Sequence, residues 1–572
     1  MKIIFVQTSD RFFADTQMFG IHCMPVWAYT LAAHLATVPD VETVLFDDRF
    51  ERVEDVPPAD LFLFTGINQD HEAILRSHRS LKQRFPRARF VIGGTICWSF
   101  NAAGKIGALD MFDHVVIGDG EDAVRRLVEA LRHGDSIPRV IEVGERFDLR
   151  RALPMHRALL EQTISRYYGA VLEVSRGCPF LCEFCDIRVL PDNNRAHVKD
   201  PALIVAELDT LYELGCRQIL FACDNFIGDQ RWAEEVCDRI IRWQETTGRS
   251  VSLYTWLTIN VAKQPTLLRK LRLAGFDLFF IGVESFNQSS LLETAKVQNT
   301  TVALVQSLRA IQSYGFVVVA GLIFGFDNDP DDVADITLRG IMESGLISGD
   351  PSLLTALPGT PLYARMQLSG RLREGKIGLG GFKYQTNIKY LKAAGAIRAD
   401  FKTFVKEFNR GPYQYRRLMS FYACVDSERY VTPRTPGYAD LTRLLSLTAK
   451  NMRSLRLLWL RLFRLLLSSE RAFYIGLALA RTFWLTSRER PLWFYLKFWL
   501  FNWSNAIVKY AELSDADFDV ESVPRAFPVE KVLPESYEAL GEAWVPAAKM
   551  RAQRRVTAAA LRQFVQARVE RV

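Results

Sequence analysis

Short apolar runs alternate with amphipathic stretches through the first 135 residues. The runs fall at residues 3–6, 44–46, 61–64, 90–92 and 115–117, and helical patterns at 26–35 and 72–85 separate them. Strand, helix, strand at this spacing predicts parallel βαβ units and an open, doubly wound, Rossmann-like sheet over residues 1–135. Residues 136–166 read as a connector. A second α/β region spans 167–370, with apolar strands at 171–174, 219–222, 253–257, 278–283, 317–323 and 353–357. Helical patterns at 201–214, 232–243 and 301–314 lie between them. Six βα repeats predict a barrel or partial barrel rather than another open sheet. Residues 371–440 read as an extension of that barrel and 441–572 as a mainly helical region.

Composition narrows the class. The chain has 572 residues, 49% hydrophobic and 24% charged, which predicts packed domains rather than disorder. Nine cysteines are an odd count in a long chain and argue against a secreted disulfide framework. The start, MKIIFVQTSD, shows no charged segment followed by a long apolar one, so a reducing cytoplasm is the expected compartment. The formal charge of +7 is modest for this length and argues against a chain-wide nucleic-acid footprint.

The informative stretch is Ser175-Arg176-Gly177-Cys178-Pro179-Phe180-Leu181-Cys182-Glu183-Phe184-Cys185, directly after the first strand of the second region. Its spacing is C-x3-C-x2-C. A structural zinc would require a fourth ligand, and no second Cys pair or His pair stands at a suitable interval. Three thiolates in one loop suit an iron–sulfur cluster, in which one iron would stay open to a substrate. Arg176 beside them reads as a structural ion pair, or as a group that tunes the cluster's potential or binds a carboxylate. Asp331 and Asp332, after Asp327-Asn328-Asp329-Pro330, read as an acidic metal loop or, more simply, as a helix N-cap with first-turn acids.

This motif, with Phe184 before its last cysteine, resembles that of the radical S-adenosylmethionine (SAM) superfamily. The resemblance implies a partial (β/α)6 barrel, a [4Fe–4S] cluster on Cys178, Cys182 and Cys185, and SAM on the open iron. It also implies an external one-electron reductant such as flavodoxin or ferredoxin. Four stretches fall where that family binds SAM. They give Phe184, Asp224 and Asn225, Glu284 and Ser285, and Gly321, Ile323 and Gly325 as SAM contacts. The form at Ala222-Cys223-Asp224-Asn225 departs from the family's usual Gly-Gly-Glu.

A doubly wound domain ahead of such a barrel resembles the cobalamin-dependent radical SAM enzymes. The stretches Asp224-Asn225-Phe226-Ile227-Gly228, Gly325-Phe326-Asp327-Asn328 and Leu354-Thr355-Ala356-Leu357-Pro358-Gly359-Thr360-Pro361 are similar to a subgroup containing the hopanoid methylases. That similarity implies methylation of an unactivated carbon of a hydrophobic, hopanoid-, isoprenoid- or tetrapyrrole-like molecule. No His lies in a D-x-H-x-x-G motif, the axial cobalt ligand of some cobalamin proteins. Gly93, Gly94, Thr95, Gly118 and Gly120, just after two strands, are the candidate cobalamin contacts. Two other readings stay open. One is a radical SAM enzyme that couples or cyclises carbons without methyl transfer. The other is a membrane-docked iron–sulfur redox or regulatory protein.

The charge is uneven. Residues 441–510 hold 12 Lys and Arg against two acids, so the rest of the chain sums to −3. As one helix, residues 443–471 would place Arg443, Lys450, Arg453, Arg456, Arg461, Arg464 and Arg471 on an arc of about 140°. The aromatic stretch 491–503 follows. A cationic face beside Trp, Phe and Leu is the composition of helices that lie in a bilayer interface. A peripheral position on the cytoplasmic membrane face is therefore expected, with a lipid-soluble substrate entering without crossing water. The alternatives are a helix packed on the barrel or a phosphate track.

Overall fold

The computed structural model describes residues 1–524 and 527, apart from 9–22, 374–383, 432–459 and the short breaks 168, 191, 295, 301–302, 426–427, 461–462, 488–489 and 511–512. The first five apolar runs become β1 (Lys2–Gln7), β2 (Glu42–Asp47), β3 (Leu61–Thr65), β4 (Arg89–Gly93) and β5 (His114–Ile117), and a sixth strand, β6 (Val140–Glu142), follows. They pair in parallel in the order β2-β1-β3-β4-β5-β6. The order reverses at β1 and β3, which opens a crevice beyond their carboxyl ends. Alternate residues enter two cores. Ile3, Phe5, Leu61 and Leu63 face one side, while Ile4, Val6, Phe62 and Phe64 face the other. Burial on both faces is why these strands read as continuous apolar runs. β6 lies in the stretch expected to be a connector. Its three residues are too few to show a period, and pairing with β5 makes it a strand.

The second sheet contains β7 (Ala170–Glu173), then, past the hairpin β8 (Ser175–Arg176) and β9 (His197–Val198), β10 (Gln218–Ala222), β11 (Ser252–Trp256), β12 (Phe276–Glu284), β13 (Val317–Phe324) and β14 (Ser348–Leu353). All six pair in parallel in the order β14-β13-β12-β11-β10-β7, a six-stranded partial barrel. Local signals start and stop the intervening helices. Asp229 accepts from Trp232 N at 3.1 Å at the start of the helix Gln230–Thr247, and Gly248 ends it in the left-handed region. β14 departs from expectation. It runs Ser348–Leu353, not 353–357. An edge strand tolerates Asp350 and Pro351, so it carries no apolar run, and the apolar stretch lies just beyond it.

One continuous core joins the two sheets. The helix Val26–Leu35 buries Ala28, Tyr29, Ala32 and Leu35 in the same cluster as Leu160, Tyr167, Val171 and Leu172. Tyr29 shares a hydroxyl hydrogen bond with Thr163 at 2.7 Å, and Tyr167 donates to Asp47 at 2.8 Å. Each fully buried aliphatic or aromatic side chain contributes about 1.5–3 kcal/mol. The carboxyl ends of both sheets are thereby held facing one cleft.

The helices Gly411–Val425 and Trp493–Tyr510 reach the amino-terminal end of the barrel strands, and Ser469–Leu485 packs on both. Arg417 donates to Leu346 O and Tyr495 to Gly315 O, just before β14 and β13. Two expectations are corrected here. Ser468 caps a new helix by accepting from Arg471 N at 3.4 Å, after a turn at Leu467, so 443–471 is not one helix; residues 443–459 lie outside the described ones. The aromatic stretch 491–503 is largely core. Leu492, Tyr495, Leu496, Trp499 and Trp503 are buried against Leu278, Val317 and Val319. β15 (Gln385–Tyr390) and β16 (Asp519–Ser522) form a separate parallel pair.

Candidate active site between the two sheets

The cysteine loop is the excursion between β8 and β9. Gly177 opens it at φ +92°, and a Cβ there would stand 2.1 Å from Arg195 O, so only glycine fits. Gly177 N donates to Asp224 Oδ2 at 2.6 Å, and Cys178 N to Asn193 O at 3.0 Å. The loop is thus tied to the end of β10 and to its own return limb. All three cysteines are free thiols. Burial pushes Cys178 up to about 11, and burial with Asp186, Cys182 and Cys178 pushes Cys185 well up. As thiolates the neighbouring cysteines raise one another, and bound cations remove that repulsion. Among the described residues no three His, Cys, Asp or Glu side chains converge on one ion. A multi-iron cluster does not require that, because each thiolate takes its own iron. The donor set therefore fits a cluster better than a lone metal.

Within the motif, Glu183 ties the loop to the barrel. Arg365 donates to it from Nε at 2.7 Å and from Nη2 at 3.0 Å, and Arg365 is itself 0% exposed. Arg365 also meets Asp327 at 3.3 Å and Glu293 at 3.5 Å, and Arg371 meets Asp327 at 2.6 Å. Three buried carboxyls face two guanidiniums. Burial first, and then the charge of Asp327, pushes Glu293 up to about 8, whereas the two arginines hold Asp327 below its usual value against burial. A protonated Glu293 balances the network at neutral pH.

Around the loop, Lys296 pairs with Glu284 at 2.8 Å, both side chains 9% exposed, and its ammonium lies 5.8 Å from the Phe184 ring centre. Gln298 Nε2 reaches Cys182 Sγ at 3.5 Å. Glu284 ends β12 at φ 63°, where the register with β13 shifts. A non-glycine residue there stores strain of about 1–3 kcal/mol, a feature that clusters at binding sites. Asn225 is 1% exposed, and neither of its amide atoms has a partner. A buried amide left unpaired costs about 1–3 kcal/mol, so a ligand is its natural complement.

Not every expected SAM contact faces this space. Ser285 accepts from Asn287 N at 3.0 Å and serves a turn. Gly321 lies against the Phe280 ring and Gly325 against the Tyr390 ring, so both make room for aromatics; Ile323 is half-buried in β13. Asp332 stands at the N-cap of the helix Val333–Ser344. Lys296, Gln298 and Arg365 were not singled out by sequence, and no period or motif marks them.

A cavity of about 470 Å³ separates the two sheets. Gly93, Gly94, Thr95, Gly118 and Gly120 all line one wall, and Glu173, Arg176, Asp186, Asn193 and Asp224 the other. Gly94 begins the helix Thr95–Ala102 at φ +86°, and a Cβ there would meet Thr65 Oγ1 at 2.2 Å, so the backbone itself forms the wall. Trp27, Leu63, Val91 and Val116 make its apolar floor. Arg176 crosses between the walls, meeting Asp119 at 3.1 Å, Glu121 at 2.5 Å and Glu173 at 2.8 Å. It is the ion pair of the two readings. Burial pushes Asp186 up to about 6 and also raises Asp224. Arg146 lies 3.1 Å from Asp119, but the angle leaves its Nε and Nη1 without hydrogen bonds, and burial lowers its pKa.

Residues 172–339 match the radical SAM superfamily. The chain is 35% identical over 336 residues to the hopanoid C-2 methylase of Rhodopseudomonas palustris (strain TIE-1), covering 58% of this chain and 61% of that protein. It thus spans about three fifths of that relative's length. The cobalamin-dependent S-adenosylmethionine radical enzyme OxsB, solved with aqua-cobalamin and S-adenosylmethionine, superposes with a TM-score of 0.57 at 13% identity, over 99% of this chain and 83% of that one. The radical S-adenosylmethionine methyltransferase TsrM from Kitasatospora setae, solved with cobalamin and a [4Fe–4S] cluster, gives 0.52 at 15% identity, over 76% and 91%. At such identities the two structures speak for the fold.

Proposed function

We propose, from the match of residues 172–339 to the radical SAM superfamily, that the chain is a cobalamin-dependent radical SAM methyltransferase acting on an unactivated carbon of a hydrophobic substrate. One observation carries this reading. The cavity between the sheets has a glycine-built wall on the Rossmann side and the neighbours of the cysteine loop on the barrel side. A planar cofactor laid on the first wall would face a cluster and SAM held by the second. The curated methylase relative and the two cobalamin-bound neighbours support it.

Cys178, Cys182 and Cys185 would hold the [4Fe–4S] cluster. When bound, the cluster, SAM and cobalamin supply one-electron cleavage of SAM and a transferable methyl group. The chain's own residues position and screen. Asn225 offers an unpaired donor and acceptor to SAM. The Glu284–Lys296 pair sets a fixed dipole beside Phe184 and the loop. Asp224 keeps its carboxylate on Gly177 N and so holds the loop's first turn. Arg176 locks the two walls at one separation. An external one-electron reductant such as flavodoxin or ferredoxin, and a substrate drawn from a membrane surface, belong to the same reading.

The test is anaerobic reconstitution with iron, sulfide and cobalamin. The expected result is a corrinoid absorption spectrum, 5′-deoxyadenosine formed from SAM, and loss of both turnover and iron in the triple Cys→Ser variant. In cells, deleting the gene should remove a lipid or pigment about 14 mass units heavier than its precursor, the mass a methyl group adds. SAM cleavage without any bound corrinoid would replace this reading with carbon–carbon coupling or cyclisation. An iron–sulfur protein that never cleaves SAM would replace it with a redox or regulatory role.

A further inference from the structure

The helix Ser469–Leu485 is apolar on two opposite sides. Ile475, Ala478 and Thr482 are buried toward the helix Gly411–Val425, where Thr482 meets Tyr422 at 2.7 Å. On the outer side, Phe473, Gly476, Leu477, Ala480, Phe483 and Trp484 fall within an arc of about 120°. Phe473 is 62% exposed, Phe483 71% and Trp484 81%. Phe463, Leu466 and Leu467, 56–63% exposed, extend the surface before the helix begins. A helix apolar all round is normally enclosed on every side. Among the described residues, only the first of these two sides is covered.

We propose that the outer face of the helix Ser469–Leu485 docks flat on an anionic lipid bilayer. Charge decides between lipid and a second copy of the chain. Among the described residues between 460 and 500, the exposed charged side chains are Arg481, Lys497 and Glu470. Two copies meeting face to face would bring those cations together, whereas acidic headgroups neutralise them. Glu470 is already engaged by Gly411 N at 3.0 Å. The helix has 17 residues, and no described helix is long and apolar enough to cross a membrane. Lying in the interface, with Trp and Phe at headgroup depth, is the arrangement its chemistry suits.

The placement bears on the route of the substrate. The helix packs on Gly411–Val425 and Trp493–Tyr510, which bond to the chain just before β14 and β13, and the cysteine loop is at the carboxyl end of the strands. Docking therefore holds the chain at the surface with its reacting cavity turned away. It concentrates the enzyme near its substrate and does not pass lipid straight into the site. The hydrophobic substrate rests on the function proposed above; the docking geometry does not.

The experiment is co-sedimentation of the full chain with phosphatidylcholine vesicles, with and without ~30% phosphatidylglycerol. The comparison is the triple variant Phe473→Ser/Phe483→Ser/Trp484→Ser, whose three sites are exposed. Wild type should pellet with the anionic vesicles, and the triple variant should lose at least about tenfold of that partitioning. Arg481→Glu/Lys497→Glu should weaken binding and flatten its salt dependence. Failure of wild type to bind, or equal binding by the triple variant, would overturn the proposal. So would a wild-type dimer, seen by light scattering, that the triple variant converts to monomer. 5′-Deoxyadenosine yield is read alongside in both proteins. Its absence in wild type would sink the proposed chemistry and leave the vesicle result standing; unchanged yield in the variant keeps docking separate from catalysis.

Discussion

Asn225 is the clearest case of a side chain built for something other than stability. Both of its amide atoms are buried without partners. Asn225→Leu should leave the melting temperature of the ligand-free protein unchanged or raise it, because an unpaired amide costs about 1–3 kcal/mol. SAM affinity, measured by calorimetry, should fall about tenfold or more; unchanged affinity would remove Asn225 from the site. Glu293 gives a pH test. Its carboxyl titrates at about 8 when folded, against an ordinary value of 4.5. The folded state therefore holds an extra proton between those values. That contribution is fully present below about pH 4.5 and is lost as pH rises through about 8. Glu293→Gln stays neutral, so its urea midpoint relative to wild type should climb from pH 5 to pH 9; a flat difference would reject the shifted carboxyl. At this scale the sequence was readable where chemistry is contiguous. Three cysteines in eight residues announce themselves. Lys296 and Gln298 reach the same loop only through a turn after β12.

At the level of elements, the cysteine loop depends on a helix far along the chain. Arg365, in the helix Pro361–Leu368, holds Glu183 with two hydrogen bonds. Arg365→Met should cost about 3–5 kcal/mol, since it strands buried carboxylates. Reconstituted iron per chain should fall with it, while Arg365→Lys should recover part of both. Full iron loading in the Met variant would show that the loop holds its shape unaided. Strand placement was legible wherever both faces are buried. It failed at β14 because an edge strand with Asp350 and Pro351 has no such pattern. The aromatic stretch misled for a related reason. Composition cannot tell a helix buried against a barrel from one lying in lipid, and only packing shows Trp499 and Trp503 enclosed. Trp499→Ala should cost about 3–5 kcal/mol in a urea melt.

For the molecule as a whole, the shared core is the decisive feature. Ile3 and Phe5 of the first sheet belong to the same buried cluster as Val171, Leu172 and Phe279 of the second. Calorimetry should therefore show the two sheets unfolding in a single transition. Two well-separated peaks would mean the Rossmann-like unit stands alone. The order of the sheets and the presence of two α/β regions were legible from spacing. Their fusion was not, because the helices Val26–Leu35 and Arg157–Thr163 read as ordinary connections and only their burial shows them serving both sides.

That fusion bears on how such chains can be recombined. A chimera that exchanged residues 1–135 for the same stretch of a relative would import Tyr29 without Thr163 and Asp47 without Tyr167. It would leave mismatched surfaces along the seam. Grafting works at joints where little is shared; here the smallest exchangeable piece reaches past Tyr167, and the partnership of the two sheets is inherited as one block.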